Sequence, residues 1–530
     1  MPVPFVPSAE QQAVIDAYLR GEDLAVQALA GTGKSSTLAL IAQAQRDHRP
    51  GATAWYITFN RRNADEVQAT FAEYGLTNAR ASTAHSLANR TCRATPALRH
   101  WVERLNKHSL RMAEEMRLLG VPRAARCLDA VLKLEPGTGK CVGVIVPSRD
   151  PRFSLQRRFL TLTRKTVEKF CQSAEPEIDW MHVPSLAGMP KEMRPIVRRE
   201  LVTCARRMWD ELSDPDSPLG TSHQHYLKAW ALSAPIIGSP GDVLLYDEAQ
   251  DANPVLAQVV MAQQGRVQLA LVGDENQQIY TFTGSVDAMQ DFVMRPGVRA
   301  LPLTECRRFG PAIAAEANKV LDLLDPARTG IRLVGIGPEG GQVHHQYSDS
   351  DSHVVTAVVC RTNARVIEHI MLQLAAGRRV HSTIDIVALE RLARDVELVE
   401  DGRAEEAKDT VLQGFTDLAL WNDWLDEEDP ENEELRDQVL AVLKYGVSAI
   451  KTLAQALVGD PSGADVTVST VHKAKGGTWD RVLVDMGDVP IDDDDDEQLR
   501  LLYVALTRAR HQVLWAPPEP KNGAYGRPAA

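Results

Sequence analysis

The sequence predicts an α/β fold with two parallel-sheet halves, each interrupted by a mainly helical insertion. In the first ninety residues, short β-rich runs such as AVQALA (25–30) and AWYITFN (54–60) alternate with helical patterns, which is the layout of a parallel sheet. Strand patterns return in VLLYDE (243–248), and again from residue 354 onwards. The stretches between these strand-rich parts carry helical patterns with few strand candidates, so we interpret them as insertions.

Composition and charge distribution restrict the class of protein. The chain has 530 residues, 44% of them hydrophobic, enough for about three to five domains at ~100 to 200 residues each. Residues 91–210 contain 23 lysines and arginines against 13 aspartates and glutamates, whereas residues 391–440 contain 5 against 17. We therefore expect a polyanionic partner to bind the basic block rather than the acidic one.

Features that the sequence lacks argue against several other classes of protein. The seven cysteines are odd in number and include no C-x-x-C pair, which argues against a disulfide framework or a structural zinc site. No apolar run approaches the ~20 residues that span a bilayer, and the first ten residues lack the features of a signal peptide. We therefore expect no membrane segment, and a cytoplasmic, nucleoid-associated protein if the source is prokaryotic or phage.

The segment ALAGTGKSS (28–36) is a candidate phosphate-binding loop of the Walker A type, with alanine where the pattern has its first glycine. It leaves a predicted strand and opens a predicted helix, where backbone amides and the positive helix N-terminus suit a triphosphate. Lys34 can reach the β and γ phosphates, and the Ser35 hydroxyl can ligate Mg²⁺. The residues expected to bind the nucleotide here are Ala30, Gly31, Thr32, Gly33, Lys34, Ser35 and Ser36.

A second segment, LLYDEAQD (244–251), supplies two adjacent carboxylates at the carboxyl end of an apolar strand. Ligands of parallel sheets bind at this edge, and two adjacent carboxylates there would be costly if no ligand were bound beside them. Asp247 is expected to hold Mg²⁺, and Glu248 to polarise the attacking water. Together with the loop at 28–36, this segment indicates a nucleoside triphosphatase.

Further motifs follow in an order that resembles the UvrD/Rep-like superfamily 1 (1A) DNA helicases. The DEAQD sequence is this family's form of the Walker B motif, and matches extend across both halves. They are SAEQQAVI (8–15), YITFNRRNADEV (56–67), STAHSLA (82–88), VGDENQQIYTFTG (272–284), LTECRRFG (303–310), AVVCRTN (357–363), TVHKAKGGTWDRV (470–482) and LLYVALTRAR (501–510).

The resemblance implies two RecA-like P-loop motor domains and assigns their limits. The first motor domain would comprise residues 1–90 and 212–293 around a basic helical insertion (91–211), and the second residues 294–384 and 462–530 around a short acidic helical insertion (385–461). The stretch near 170–184 and SHQHYLKAW (222–230) resemble the F-box DNA helicase branch and short phage and bacterial members.

The resemblance also assigns roles around the nucleotide. Gln11 would read the adenine, and Gln277 would sense the γ-phosphate. Arg308 and Arg508 would be arginine fingers from the second half, since a planar guanidinium suits developing phosphoryl charge. Two further nucleotide contacts are expected, one from an arginine that can stack on the base where an aromatic residue is usual and one from a glycine that allows close backbone approach, namely Arg307 and Gly476.

DNA contacts are expected from aromatic faces that stack on bases, at ~1 to 3 kcal/mol per base, and from polar residues that bind the DNA backbone. The resemblance places these contacts at Phe59, Asn60, Thr83, His85, Tyr280, Phe282, Thr470 and His472. In the basic insertion, further candidate contacts to the DNA backbone are Arg157, Arg158, Arg164, Lys165, Arg198 and Arg199.

These observations predict a DNA-dependent ATPase that moves on single-stranded DNA and unwinds duplexes, with 3′ to 5′ polarity implied by the resemblance. Two alternatives remain: a translocase that strips proteins without efficient unwinding, and a DNA-binding module whose ATPase cycle acts only as a switch. ATP and Mg²⁺ are the expected cofactors, and single-stranded and tailed duplex DNA the expected partners. We expect a monomer that binds no membrane, and the sequence identifies no protein partner.

Overall fold

The computed structural model describes residues 6–58, 61–107, 110–125, 151–186, 193–279, 288–324, 330–338, 340–345, 354–409, 411–415, 418–426, 432–487 and 495–515. Within these ranges we find no helix that is both long and apolar enough to cross a bilayer.

The first half is built on a six-stranded sheet in which every pair of neighbouring strands is parallel. Its strands are β1 (Asp23–Ala28), β2 (Ala54–Thr58), β3 (Ala79–Thr83), β4 (Val243–Asp247), β5 (Gln268–Gly273) and β6 (Val298–Leu303). The order across the sheet is β3-β2-β4-β5-β1-β6. The central strand β4 is buried along its whole length, as expected for an apolar strand covered on both faces.

The helices of the first half and its insertion follow the chain from residue 9 to residue 293. They are α1 (Ala9–Leu19), α2 (Lys34–His48), α3 (Arg61–Glu73), α4 (Ala84–Ala94), α5 (Arg99–Glu103), α6 (Met112–Leu118), α7 (Val121–Ala124), α8 (Pro151–Gln172), α9 (Arg194–Ser213), α10 (His223–Leu232), α11 (Pro254–Met261) and α12 (Ala288–Val293). The insertion helices share one apolar core with the sheet, because Phe159 and Leu201 belong to the same buried cluster as Ile57 and Leu244.

The second half repeats the architecture with another six-stranded parallel sheet, preceded by the short pair β7 (Glu305–Cys306) and β8 (Val334–Gly335). Its order is β11-β12-β10-β13-β14-β9, with every neighbouring pair parallel. The strands are β9 (Gln342–His344), β10 (Ala357–Cys360), β11 (Val380–Ser382), β12 (Val466–Thr470), β13 (Trp479–Asp485) and β14 (Ala509–Trp515). The predicted α/β class with two parallel sheets is therefore confirmed.

The helices of the second half cover its sheet and form the acidic insertion. They are α13 (Pro311–Leu323), α14 (Asn363–Ala375), α15 (Ile386–Glu400), α16 (Leu418–Asp426), α17 (Glu433–Ala456), α18 (Val471–Ala474) and α19 (Asp496–Leu506). Leu389 and Val442, from the insertion, lie in the same buried cluster as Val358 and Val468 of the sheet. The acidic insertion therefore packs directly on the second sheet.

The first half ends later in the chain than the expected domain limit at residue 293. Strand β6 (298–303) pairs with β1 along its full length, so the first sheet extends past that limit. The chain then continues through Thr304, whose backbone N–H donates to Glu10 Oε2 at 2.7 Å. The expected domain limits otherwise remain predictions.

Candidate active site

The loop between β1 and α2 has the backbone of a phosphate-binding turn. Gly31 and Gly33 adopt φ angles of 73° and 88°, in the left-handed region that favours glycine. A Cβ atom on Gly31 would lie 2.7 Å from Cys306 Sγ and 2.8 Å from Arg308 Cβ, so only glycine fits at this contact with the second half. Helix α2 begins at Lys34 without a side-chain cap, and its N-terminal amides and dipole therefore favour an anion there.

Lys34 and Ser35 lie beside the carboxylates at the end of β4. Lys34 Nζ is 4.0 Å from Glu248 Oε2 and donates to Ala28 O at 3.4 Å. Ser35 Oγ donates to Asp247 Oδ2 at 3.4 Å. The predicted phosphate-binding loop (28–36) and the acidic segment (244–251) thus lie against each other.

The two carboxylates have opposite pKa shifts. Burial, reinforced by the charge of Glu248, raises the pKa of Asp247 to about 6. Burial also opposes ionisation of Glu248, but the charges of Lys34 and then Lys475 outweigh it and lower its pKa. Glu248 also has a left-handed backbone with φ of 53°, a strained conformation of the kind found at functional sites. An ionised Glu248 beside a cation suits a group that orients and polarises water.

Ser35 and Asp247 fit a magnesium ion. Their oxygens are hard donors of the type that Mg²⁺ selects, and Mg²⁺ usually keeps water and substrate phosphates as its other ligands. Asp247 is buried, and its Oδ2 also accepts a hydrogen bond from the Tyr56 hydroxyl. This second bond fixes the carboxylate in position. Tyr56 is the first residue of the motif at 56–67, but the sequence assigned it no role.

Two arginines of the second half reach the same region. Arg308 packs against Gly31 and donates from Nη1 to Thr507 O at 2.8 Å. Arg508 is 1% exposed, and its Nη2 donates to Gln277 Oε1 at 3.2 Å. Burial lowers the pKa of both guanidiniums. Arg308, Arg508 and Gln277 are therefore brought together beside the phosphate-binding loop.

Four residues outside the predicted set connect the two halves at this point. The Tyr503 hydroxyl accepts from Ala30 N at 3.1 Å and donates to Asp274 Oδ2 at 3.3 Å. Lys475 Nζ donates to Asp251 Oδ2 and to Gln277 O. All four lie inside quoted motifs, so their position in the sequence marked them, but which atoms they bind was not visible there.

Of the three remaining predicted nucleotide contacts, Gln11 and Arg307 lie close to the loop. Gln11 donates from Nε2 to Thr37 Oγ1 of α2 at 3.1 Å, and its Nε2 is 3.4 Å from the Cβ position of Gly33. The Arg307 backbone N–H donates to Gly31 O at 3.1 Å. Gly476 has a φ of 84° with open space around its Cβ position. The structure thus brings Gln11 and Arg307 to the loop, and the contacts of all three residues with nucleotide stay predictions.

The predicted DNA contacts divide into two groups. Thr83 and Thr470 each begin a helix and accept from a backbone N–H of its first turn, and His85 and His472 lie in these same first turns. Burial lowers the pKa of both histidines. The remaining four predicted contacts lie outside the described residues, namely Phe59, Asn60, Tyr280 and Phe282.

The basic insertion presents only part of its predicted positive surface to solvent. Arg164 forms an ion pair with Glu115, so its charge is partly neutralised within the protein. Burial lowers the pKa of Arg158 to about 10. Arg198 and Arg199 are exposed, and the latter pairs with Glu200 at 3.1 Å. Arg157 and Lys165 are half-buried, so Arg198 and Arg199 on α9 are the most exposed members of this set, and contact of any of the six with DNA stays a prediction.

Comparison with known protein families matches both halves of the chain. The AAA domain family matches residues 10–283, more than half of the chain. The UvrD-like helicase C-terminal domain family matches residues 465–514. The first match covers the phosphate-binding loop and the β4 carboxylates, and the second covers Lys475, Tyr503 and Arg508.

Curated relatives carry related names. F-box DNA helicase 1 of Gallus gallus is 27% identical over 95% of this chain and 48% of its own length. F-box DNA helicase protein 1 of Schizosaccharomyces pombe is 24% identical over 96% and 57%, and ATP-dependent DNA helicase UvrD2 of Mycobacterium tuberculosis is 28% identical over 53% and 48%. The chain spans about half the length of these relatives. Because the AAA domain model covers more than half of the chain, and the UvrD-like helicase C-terminal model matches the second half in the expected order, this chain belongs to the AAA domain family and carries a UvrD-like helicase C-terminal domain.

Proposed function

We propose that this chain is a DNA-dependent ATPase that moves along single-stranded DNA in the 3′ to 5′ direction and unwinds tailed duplexes. The observation that carries the proposal is the meeting of two sets of side chains. Lys34, Asp247 and Glu248 come from the first half, and Arg308 and Arg508 reach the same loop from the second. The relatives' names, F-box DNA helicase and ATP-dependent DNA helicase, support DNA as the substrate.

The geometry supports hydrolysis of a triphosphate between the halves. The loop amides and Lys34 would bind the phosphates, while Ser35 and Asp247 would hold Mg²⁺, which supplies positive charge to the transferring phosphoryl group. Glu248 is ionised beside Lys34 and would orient the attacking water. Charge that develops on the γ-phosphate would then lie near the guanidinium of Arg508.

The same arrangement couples hydrolysis to movement. Groups from both halves would contact the γ-phosphate, so its release removes an attraction that holds the halves together. Alternate closing and opening would shift the two halves along one DNA strand, with Thr83, His85, Thr470 and His472 as contacts to its backbone. Most such contacts are independent of base sequence, because phosphate binding positions a protein without reading bases.

The test begins with ATP turnover by the full chain without nucleic acid and with single-stranded DNA, duplex DNA or RNA. We expect single-stranded DNA to stimulate turnover strongly. Lys34→Ala should abolish turnover with the fold intact, whereas Lys444→Ala, which removes an exposed cation of α17, should leave turnover unchanged. Retained turnover in Lys34→Ala would contradict the proposal.

Strand displacement then tests the direction and the product. Duplexes with a 3′ tail should be separated, and duplexes with a 5′ tail should not. Displacement of a protein from single-stranded DNA without strand separation would instead support a translocase that strips proteins. DNA affinity that changes with ATP, without directional movement on either substrate, would indicate a switch.

A further inference from the structure

The hydroxyl of Tyr503 occupies a buried position between the two halves. It belongs to α19 of the second half, and the side chain is fully buried. Its two hydrogen-bond partners both belong to the first half, Ala30 N at 3.1 Å and Asp274 Oδ2 at 3.3 Å. Ala30 lies at the start of the phosphate-binding loop, and Asp274 follows the end of β5. One hydroxyl therefore joins three segments.

The hydrogen bonds continue from Asp274 to Arg508. Asp274 Oδ2 accepts from Gln277 Nε2 at 2.5 Å, and Gln277 Oε1 accepts from Arg508 Nη2 at 3.2 Å. Arg508 lies just beyond the end of α19 and donates from Nε to Val504 O at 2.8 Å. The path from Tyr503 through Asp274 and Gln277 thus returns to the end of the helix that carries Tyr503. We call these four side chains the Tyr503 circuit.

The Tyr503 circuit restricts the orientation of Gln277. Its amide donates to one charged neighbour and accepts from another, so its oxygen and nitrogen cannot exchange places without losing both bonds. Asp274 is held in turn by Tyr503, and its other oxygen, Oδ1, accepts from Asn276 N at 3.2 Å. Within a buried region, such bonds strengthen one another and are costly to leave half-made. Asp274 and Tyr503 therefore lie two and three hydrogen bonds from Arg508, along a path that runs through Gln277.

We infer that Tyr503 and Asp274 are positioning residues that hold Gln277 and Arg508 in the geometry required for ATP hydrolysis. The inference rests on the proposed ATPase function and extends it to two residues with no assigned role. Tyr503 contacts the loop at Ala30, ahead of the Gly31–Lys34 turn. Because Gln277 and Arg508 would act on the γ-phosphate as it is transferred, loss of the Tyr503 hydroxyl should impair the chemical step more than ATP binding.

The experiment measures kcat and KM for ATP with saturating single-stranded DNA. Tyr503→Phe keeps the buried ring and removes the hydroxyl, and we expect kcat to fall ~10- to 100-fold with KM changed less than ~3-fold. In a Gln277→Ala background the same substitution should lower kcat less than ~2-fold, because the circuit is already broken. Equal losses in both backgrounds, or a wild-type kcat for Tyr503→Phe, would overturn the inference.

A second variant tests the circuit from another side. Asp274→Asn keeps the acceptor for Asn276 N but replaces the oxygen that binds Tyr503 and Gln277, so kcat should fall and Gln277→Ala should again mask the loss. If Tyr503→Phe fails to fold by circular dichroism, this variant decides the matter. A wild-type kcat in folded Asp274→Asn, or a loss that Gln277→Ala does not mask, would overturn the inference.

The matched control is Tyr18→Phe. The hydroxyl of Tyr18 is also buried and donates to Gln45 within the first half, without contact with the loop. This variant should show a lower unfolding temperature and a wild-type kcat. If the wild-type chain shows no DNA-stimulated turnover, the proposed function itself is refuted. If the wild-type chain does turn over ATP, but Gln277→Ala does not mask the losses caused by Tyr503→Phe and Asp274→Asn, only the positioning role is refuted.

Discussion

Replacing Arg508 is the most direct test of the proposal that both halves contribute side chains to one ATPase site. Its guanidinium is 1% exposed and donates to Gln277, Gly477, Val504 and Thr507. Burial first, and then the nearby charge of Arg308, lower its pKa to about 9, so it is still cationic at pH 7.5. Arg508→Ala removes this charge from the site, and Arg508→Lys retains a charge without the planar fork.

The expected magnitude follows from the charge that is lost. Two unit charges ~4 Å apart interact by about 4 kcal/mol at an effective dielectric constant of ~20. Because ~1.4 kcal/mol corresponds to a tenfold change in rate, Arg508→Ala should lower kcat by about a thousandfold. Arg508→Lys should lose about 10- to 100-fold, since one point charge cannot reproduce the fork. KM for ATP should change by less than ~3-fold, because the developing charge exists only in the transition state.

The assay is steady-state ATP hydrolysis with saturating single-stranded DNA, with circular dichroism to confirm folding. Arg510→Ala is the matched control, because Arg510 lies two residues further on and is half exposed beside Asp480. It should retain wild-type kcat and KM. A kcat within ~10-fold of wild type for Arg508→Ala, or a loss confined to KM, would refute the role of this arginine.

Three further changes have defined outcomes. Gly31→Ala should abolish turnover, because its Cβ would collide with the second half at Arg308 and the loop backbone would be strained. Lys228→Met should lower the free energy of unfolding by about 2 to 4 kcal/mol in urea titrations, because the ammonium donates at 2.7 and 2.6 Å to two carbonyls after α8, which would lose their donor. Burial and then the charge of His223 lower the pKa of His85, so it is neutral at pH 7. DNA affinity should therefore rise as the pH falls from neutral into the acidic range, because a nearby phosphate favours the protonated imidazole, and His85→Gln should reduce that rise.

Each of these outcomes has a clear contrary result. Wild-type turnover in Gly31→Ala would show that the close approach of the two halves is not needed for hydrolysis. An unchanged urea midpoint for Lys228→Met would mean that the two carbonyls find other partners. An equally steep pH dependence of DNA affinity in His85→Gln would assign the titration to another group.

Much of the site could be predicted because its chemistry is local in sequence. The loop at 28–36 needs glycines, a lysine and a hydroxyl within a few residues, and a strand–loop–helix arrangement supplies its amides. Likewise Asp247 and Glu248 end an apolar strand, and the parallel layout places that end at the ligand edge of the sheet. Arg308 and Arg508 required the resemblance, since an isolated arginine carries no local signal of its role.

The contacts between the halves could not be predicted in the same way. Tyr503 is 473 residues from Ala30 in sequence, and Lys475 is 224 residues from Asp251. No periodic pattern reports such a pair, because hydrophobic spacing shows which face of an element is buried and not what it is buried against. For a similar reason, the sequence placed the segment of β6 (298–303) in the second motor domain, whereas the structure pairs it with β1 of the first sheet. That pairing depends on the order of strands in the sheet, which the sequence pattern does not report.

The sequence by itself determined the two α/β halves, the phosphate-binding loop and the acidic strand end, because each follows from neighbouring residues and their periodicity. Only the tertiary structure decided which atoms meet between the halves: the Tyr503 hydroxyl on Ala30, Arg508 on Gln277, and Arg308 against Gly31. Those meetings depend on how two separately built sheets pack, and packing is set by the shapes of distant segments together rather than by any one of them.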